Sequence, residues 1–135
     1  MAVKSAKVQA RSATAALCTV SNDRGKIIEA VFSPNAPGFT PLEIQAAALA
    51  ACIASSVRIA ARNLDIGALG DVDVDVEAIK AEDEPSRLGR FEAVVRFGDA
   101  LADDVKDRLV HAAENICTIS NTLRAGDTIV AGRRA

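Results

Sequence analysis

The sequence predicts an α+β fold: one long alanine-rich helix, a second amphipathic helix, and antiparallel strand pairs. Three observations carry this. A capped stretch runs from Thr40 to Asn63, with no Gly or Pro after Pro41. A strictly alternating run follows at Asp71–Glu77, and a second alternating run at Leu88–Phe97 faces it across a polar loop. Helix-period and strand-period segments that succeed one another along a short chain are the pattern of an α+β domain.

The strands at the start come first. Val3 to Val20 reads as extended chain, with alternation in Val3–Val8 and again in Leu17–Val20. Asn22-Asp23-Arg24-Gly25 is a turn in which Gly25 suits positive φ. Lys26–Phe32 continues as a strand and closes a hairpin. Cys18 falls in this hairpin and reads as a small buried hydrophobe. Ser33–Phe39, with two prolines and a glycine, is a loop that delivers the chain to the long helix.

That helix is expected over 41–63. Thr40 serves as N-cap, Pro41 suits the first helical position and Glu43 completes a capping box. It would be roughly 35 Å long at 1.5 Å per residue. Ala46–Ala54 is apolar at every position, so this segment has no wet face and is expected to be buried all round. The chain has four Phe and no Trp or Tyr. With so few large side chains a monomer would struggle to surround the rod, which argues for a dimer whose partner covers part of it.

Beyond a connector at Leu64–Gly70, Asp71–Glu77 places valines on one face and acids on the other. Alternate residues on an open sheet face do not converge on a cation, so the acid row reads as a solvated face. On Leu88–Phe97, Phe91, Ala93, Val95 and Phe97 share one face and Arg90, Glu92 and Arg96 the other. Cross-strand opposite charges stabilise by a few tenths of a kcal/mol, up to ~1. Ala81–Arg87 is a polar loop. A second helix is expected over 102–115, its stripe formed by Val105, Leu109, Ala112 and Ile116, with Asp103 and Asp104 at the positive end of the dipole. Cys117 ends that helix and precedes a polar turn. A turn at Arg124–Asp127 and a short strand at Thr128–Ala131 close the chain.

Composition narrows the function. The 135 residues are 50% hydrophobic and 25% charged, enough for a single domain, 1–135, with a real core. The net charge of −2 gives no bulk attraction to nucleic acid or an anionic membrane. The longest wholly apolar run, nine residues, is well short of the ~20 of a membrane span. The N-terminal MAVKSAKVQARS lacks the apolar core of a signal peptide. A cytoplasmic location without membrane or nucleic-acid partners is the expectation. Three widely spaced cysteines do not make a disulfide framework. His111, the single histidine, lies off the second helix's stripe and reads as a surface residue. A Cys-His or Ser-His-Asp arrangement therefore has no base in the expected setting, and zinc would lack ligands. No phosphate-binding loop is present. Cys52 and Cys117 remain as candidate chemistry. From composition alone they read as two buried free thiols; two helices packed on one sheet could bring them together, which spacing alone does not show.

The motifs around these two cysteines go further. AAALAACIASSV on the long helix and AENICTISNTL near the C-terminus resemble the OsmC/Ohr family of peroxide-defence proteins, and the order of elements matches over nearly the whole chain. The resemblance implies an OsmC-like fold: antiparallel sheets around two long helices, in an intertwined homodimer. It also implies thiol-dependent reduction of organic hydroperoxides. Cys52 would attack the terminal peroxide oxygen and become a sulfenic acid, and Cys117 would condense with it to a disulfide. An external dithiol would restore both, with no other cofactor. An ordinary Cys with pKa near 8.5 is only about 3% ionised at pH 7, whereas one lowered to ~6 is roughly 90% ionised. Burial pushes the wrong way. Peroxidase members offset it with an arginine held by a glutamate directly after the helix-opening proline. Here that position is Leu42. Glu43 comes one residue later and, at about 100° per residue, falls on the side of the helix opposite Cys52. Arg11 and Arg24 are candidate arginines outside the family's setting, Arg58 and Arg62 read as snorkelling surface residues, and Thr118 replaces the proline that often follows the second cysteine. These departures resemble a branch that keeps the cysteines without a clear activating pair. The alternative function is accordingly a non-enzymatic dimer of the same fold, redox-responsive or small-molecule-binding.

Overall fold

A computed structural model describes residues 5–135. Its order is β1 (Val8–Arg11), β2 (Leu17–Asn22), β3 (Ile27–Val31), α1 (Pro41–Asn63), β4 (Val72–Lys80), β5 (Leu88–Phe97), α2 (Asp103–Ile116) and α3 (Thr118–Ala125). The expected start of the first alternation, Val3 and Lys4, lies outside the described residues. Contacts within the chain fall into two compact units, the first reaching to Gln45 and the second comprising Ala46–Ala135.

The first unit is an antiparallel meander in the order β1-β2-β3. Its turn forms where the sequence places it. The Asn22 side-chain oxygen accepts from the backbone N–H groups of Arg24 and Lys26, both at 3.0 Å, and Gly25 adopts φ 78°. Cys18 lies opposite Ala30 on the β2–β3 ladder and is half-buried. The loop after β3 folds back: the Val31 N–H donates to the Phe39 carbonyl at 2.9 Å. Gly38 permits this return. It has φ 139°, and a Cβ there would lie 2.9 Å from a Val31 methyl. The capping box then starts α1, with the Thr40 N–H donating to Glu43 Oε1 at 2.9 Å and the Glu43 N–H to Thr40 Oγ1 at 3.3 Å.

In the second unit α1 buries the stripe Leu49, Ile53, Val57, Ala60 and Ala61. Val72, Val74 and Val76 of β4 and Phe91, Val95 and Phe97 of β5 pack against the core that this stripe forms. The acids on the other face of β4 are solvated, and Arg96 holds Asp75 at 2.6 Å. α2 adds Leu109 and Ala113, both fully buried. The connector between α1 and β4 is tied at two points. Arg58 donates to the carbonyls of Leu69 and Gly70 at 3.0 and 2.9 Å, and the Gly70 N–H donates to Asp99 at 2.8 Å. Arg58 is thus more than a snorkelling surface residue.

Four expectations are corrected. Residues 118–125 form a helix, not a polar turn: Ile119 and Leu123, four apart, pack on the core, and Gly126 in the left-handed region ends it. Thr128–Ala131 is not a strand. Ile129 and Val130 are almost fully exposed, and no strand edge among the described residues pairs with them. The long helix is not buried all round within one chain, because Ala47, Ala48 and Ala51 are exposed. Finally, α1 contains an 18-residue window as apolar as a membrane span, with mean hydropathy 1.6, although its longest wholly apolar run is short. Its buried stripe against a sheet is that of a core helix.

Candidate functional site

The second unit brings Cys52 and Cys117 together. α1 carries Cys52 next to the core stripe, half-buried. Cys117 lies at the junction of two helices. It is the residue after α2, where its N–H donates to the Ala113 carbonyl at 2.9 Å, and it is the N-cap of α3. Its sulfur accepts the Ser120 N–H at 3.4 Å and its carbonyl accepts the Asn121 N–H at 3.0 Å. A cysteine sulfur thereby fills the place in which Ser, Thr, Asp or Asn is usual. Cys117 has no exposed surface.

Cys52 packs against the core cluster that contains Cys117, and the two thiols' environments differ in sign. Burial raises the Cys52 pKa above the ordinary thiol range, and the sulfur of Cys117 beside it adds to the rise. The Ile119 N–H and the Ser56 hydroxyl oppose this without reversing it. At Cys117 burial also works upward. There the Cys52 thiol and the Ser120 N–H, with a smaller contribution from the Ile119 N–H, outweigh it and bring the thiol below its ordinary range. Of the two, Cys117 is the thiol that ionises more readily.

Three groups at this site were not singled out in the sequence. Ser56, buried, lies four residues after Cys52 and so on the same helix face. Ile119 and Ser120 supply first-turn N–H groups of a helix that the sequence reading takes as a turn. His111 is exposed, as expected. Glu43 is engaged in the cap, and Arg58 in the Leu69 and Gly70 carbonyls. Arg11 is exposed on β1, and Arg24 sits in the β2–β3 turn.

Two hollows lie in the second unit. One of about 580 Å³ is lined by Arg58, Arg62 and Asp65 at the end of α1, with no cysteine in its wall. The other, about 360 Å³, has Leu49, Ile53, Phe91 and Leu123 as apolar wall and reaches Ser120, the residue whose N–H caps Cys117. The second is the more relevant to thiol chemistry because it shares that residue.

Comparisons with known proteins agree with the fold. The family model described as OsmC-like protein matches residues 33–131. Among solved structures, an OsmC-like protein from Mycoplasma pneumoniae superposes with a TM-score of 0.81 at 17% identity, covering 91% of this chain and 89% of that one. The organic hydroperoxide resistance protein OhrB of Bacillus subtilis gives a TM-score of 0.71 at 28% identity, covering 93% and 94%. An organic hydroperoxide resistance protein OsmC from Legionella pneumophila gives 0.69 at 22%, covering 92% of each. No curated protein matches.

Proposed function

Since the chain belongs to the OsmC-like protein family, we propose that it reduces organic hydroperoxides through its Cys52–Cys117 pair. The observation that carries this reading is that a half-buried thiol, Cys52, packs against the core cluster that holds a fully buried one, Cys117. A peroxide reaches the half-buried sulfur. Cys52, as thiolate, takes the terminal OH-bearing oxygen, the O–O bond breaks, and the alkoxide takes a proton from solvent and leaves as the alcohol. The resulting sulfenic acid sits against Cys117, whose sulfur displaces water to form a disulfide. An external dithiol then reduces that disulfide by exchange. The name of the Bacillus subtilis relative, a hydroperoxide resistance protein, points to the same substrate class.

The active form in this proposal is a cytoplasmic homodimer. Support comes from the exposed alanine face of α1 and from the exposed Ile27, Ile28, Phe32, Phe39 and Leu42, more apolar surface than scattered single residues account for.

A single-turnover assay tests the reading. Cumene hydroperoxide should consume one thiol pair per chain, and Cys52→Ser should abolish that consumption. Unchanged consumption in the variant rejects the assignment. The raised pKa of Cys52 favours a second reading, a redox-responsive or ligand-binding dimer without turnover. In that case the wild type would leave the peroxide intact.

A further inference from the structure

We propose that the hollow at the C-terminal end of α1 is a binding site for a small organic monocarboxylate with an apolar body. The site is separate from the cysteines and goes beyond the peroxidase reading.

The hollow measures about 580 Å³ and is lined by Arg58, Arg62, Asp65, Gly67, Ala68 and Leu69, all within the second unit. That volume falls in the range of small-molecule sites. Arg58 and Arg62 are four residues apart, so they leave α1 on one face, one turn apart. Like charges at that spacing repel, and a bound anion relieves the repulsion. The Arg58 guanidinium is fixed in place. It donates to the Leu69 carbonyl at 3.0 Å and to the Gly70 carbonyl at 2.9 Å, and its other N–H groups are left for a ligand. Arg62 makes no ion pair and no side-chain hydrogen bond among the described residues.

The backbone adds donors. Gly67, Ala68 and Leu69 lie outside helix and strand, and none of their N–H groups donates to a protein acceptor among the described residues. The carbonyls that would repel an anion are occupied. Those of Ala60, Ala61 and Arg62 at the end of α1 accept from the N–H groups of Leu64, Ile66 and Asp65, and those of Leu69 and Gly70 accept from Arg58.

The wall is thus rich in donors and holds one acid. Two guanidinium charges set against the Asp65 carboxylate leave one net positive charge, which matches a monoanion. A phosphate dianion would be repelled by Asp65. A carboxylate suits the planar fork of a guanidinium through both of its oxygens. The hollow is larger than a carboxylate group needs. Ala68, Leu69 and the aliphatic stems of the two arginines give the rest of it an apolar side, against which the body of the ligand lies.

The test is a chemical-shift titration of the isotope-labelled protein with benzoate, with acetate and inorganic phosphate as comparison anions. The amide signals of Gly67, Ala68 and Leu69 should move saturably with benzoate. Acetate, which lacks the ring, should bind about tenfold more weakly. Arg62→Gln keeps a good helix former and most of the stem. It should weaken benzoate binding by about tenfold, the effect of losing a charge-assisted hydrogen bond. Asp65→Asn should tighten it, because the like charge is gone; asparagine tolerates the left-handed φ of 55° at that position. Overturning results are equally definite. They are no saturable movement of the three amides, binding unchanged in Arg62→Gln, or saturation at the amides of Cys52 and Cys117 instead. Phosphate binding more tightly than benzoate overturns the assignment to a carboxylate. The titration uses no peroxide, so its failure and a failure of the peroxidase reading are distinguishable.

Discussion

Thr40 and Glu43 close a reciprocal pair of hydrogen bonds at the start of α1. Removing the hydroxyl leaves the Glu43 N–H without its partner, so Thr40→Ala is expected to lower stability by about 1 kcal/mol. A urea midpoint that does not fall would contradict this. The Thr40 N–H, and then the Thr40 hydroxyl, hold the Glu43 carboxyl below its ordinary pKa. A depressed folded-state pKa contributes stability that is present above the ordinary carboxylate range. That contribution disappears as pH falls through the depressed value. Glu43→Gln should therefore flatten the acid limb of the stability–pH curve. At the thiols the same reasoning bears on reactivity. Burial is the largest cause of the raised Cys52 pKa and persists when Cys117 is replaced, so direct alkylation of Cys52 in a Cys117→Ser variant should climb with pH through the ordinary thiol range. A plateau at neutral pH would contradict this.

Among the elements, α2 contributes most through a single side chain. Leu109 has no exposed surface and packs with Ala60 and Ala61 of α1. Leu109→Ala leaves a cavity at that crossing and is expected to cost about 2–5 kcal/mol, read from the urea midpoint. A loss below 1 kcal/mol would mean that the site closes up around the missing side chain. Element by element, legibility followed how local the signal was. α1 could be bounded at Pro41 and Asn63 because cap, proline and apolar run are all written in adjacent residues. β4 could be read because valine alternates with acid without interruption. α3 was hidden because Thr118, Ser120, Asn121 and Thr122 suggest a turn, while what makes the segment helical is a sulfur cap and two tertiary contacts, Ile119 and Leu123. Thr128–Ala131 has strand propensity but no partner edge among the described residues. Cys52 and Cys117 were legible through their motifs. Ser56 and Ser120 were not, since serine in a helix or turn carries no mark of what its hydrogen bond will reach.

At the scale of the whole molecule, α1 leaves Ala47, Ala48 and Ala51 uncovered in a single chain. Small side chains let another backbone approach closely, which suits a second copy of the chain. Ala48→Glu keeps helix propensity but puts a charge on that face. Sedimentation should give a dimer for the wild type and at least tenfold weaker association for the variant. A wild-type monomer would contradict the proposed assembly.

The account depends most on the two sulfurs acting as one unit. The direct measurement is mass spectrometry of peptides after one equivalent of organic hydroperoxide, with free thiols blocked. A disulfide joining Cys52 to Cys117, with Cys18 still free, is the predicted result. Cys52 oxidised with no link to Cys117, or a link to Cys18 instead, would contradict it.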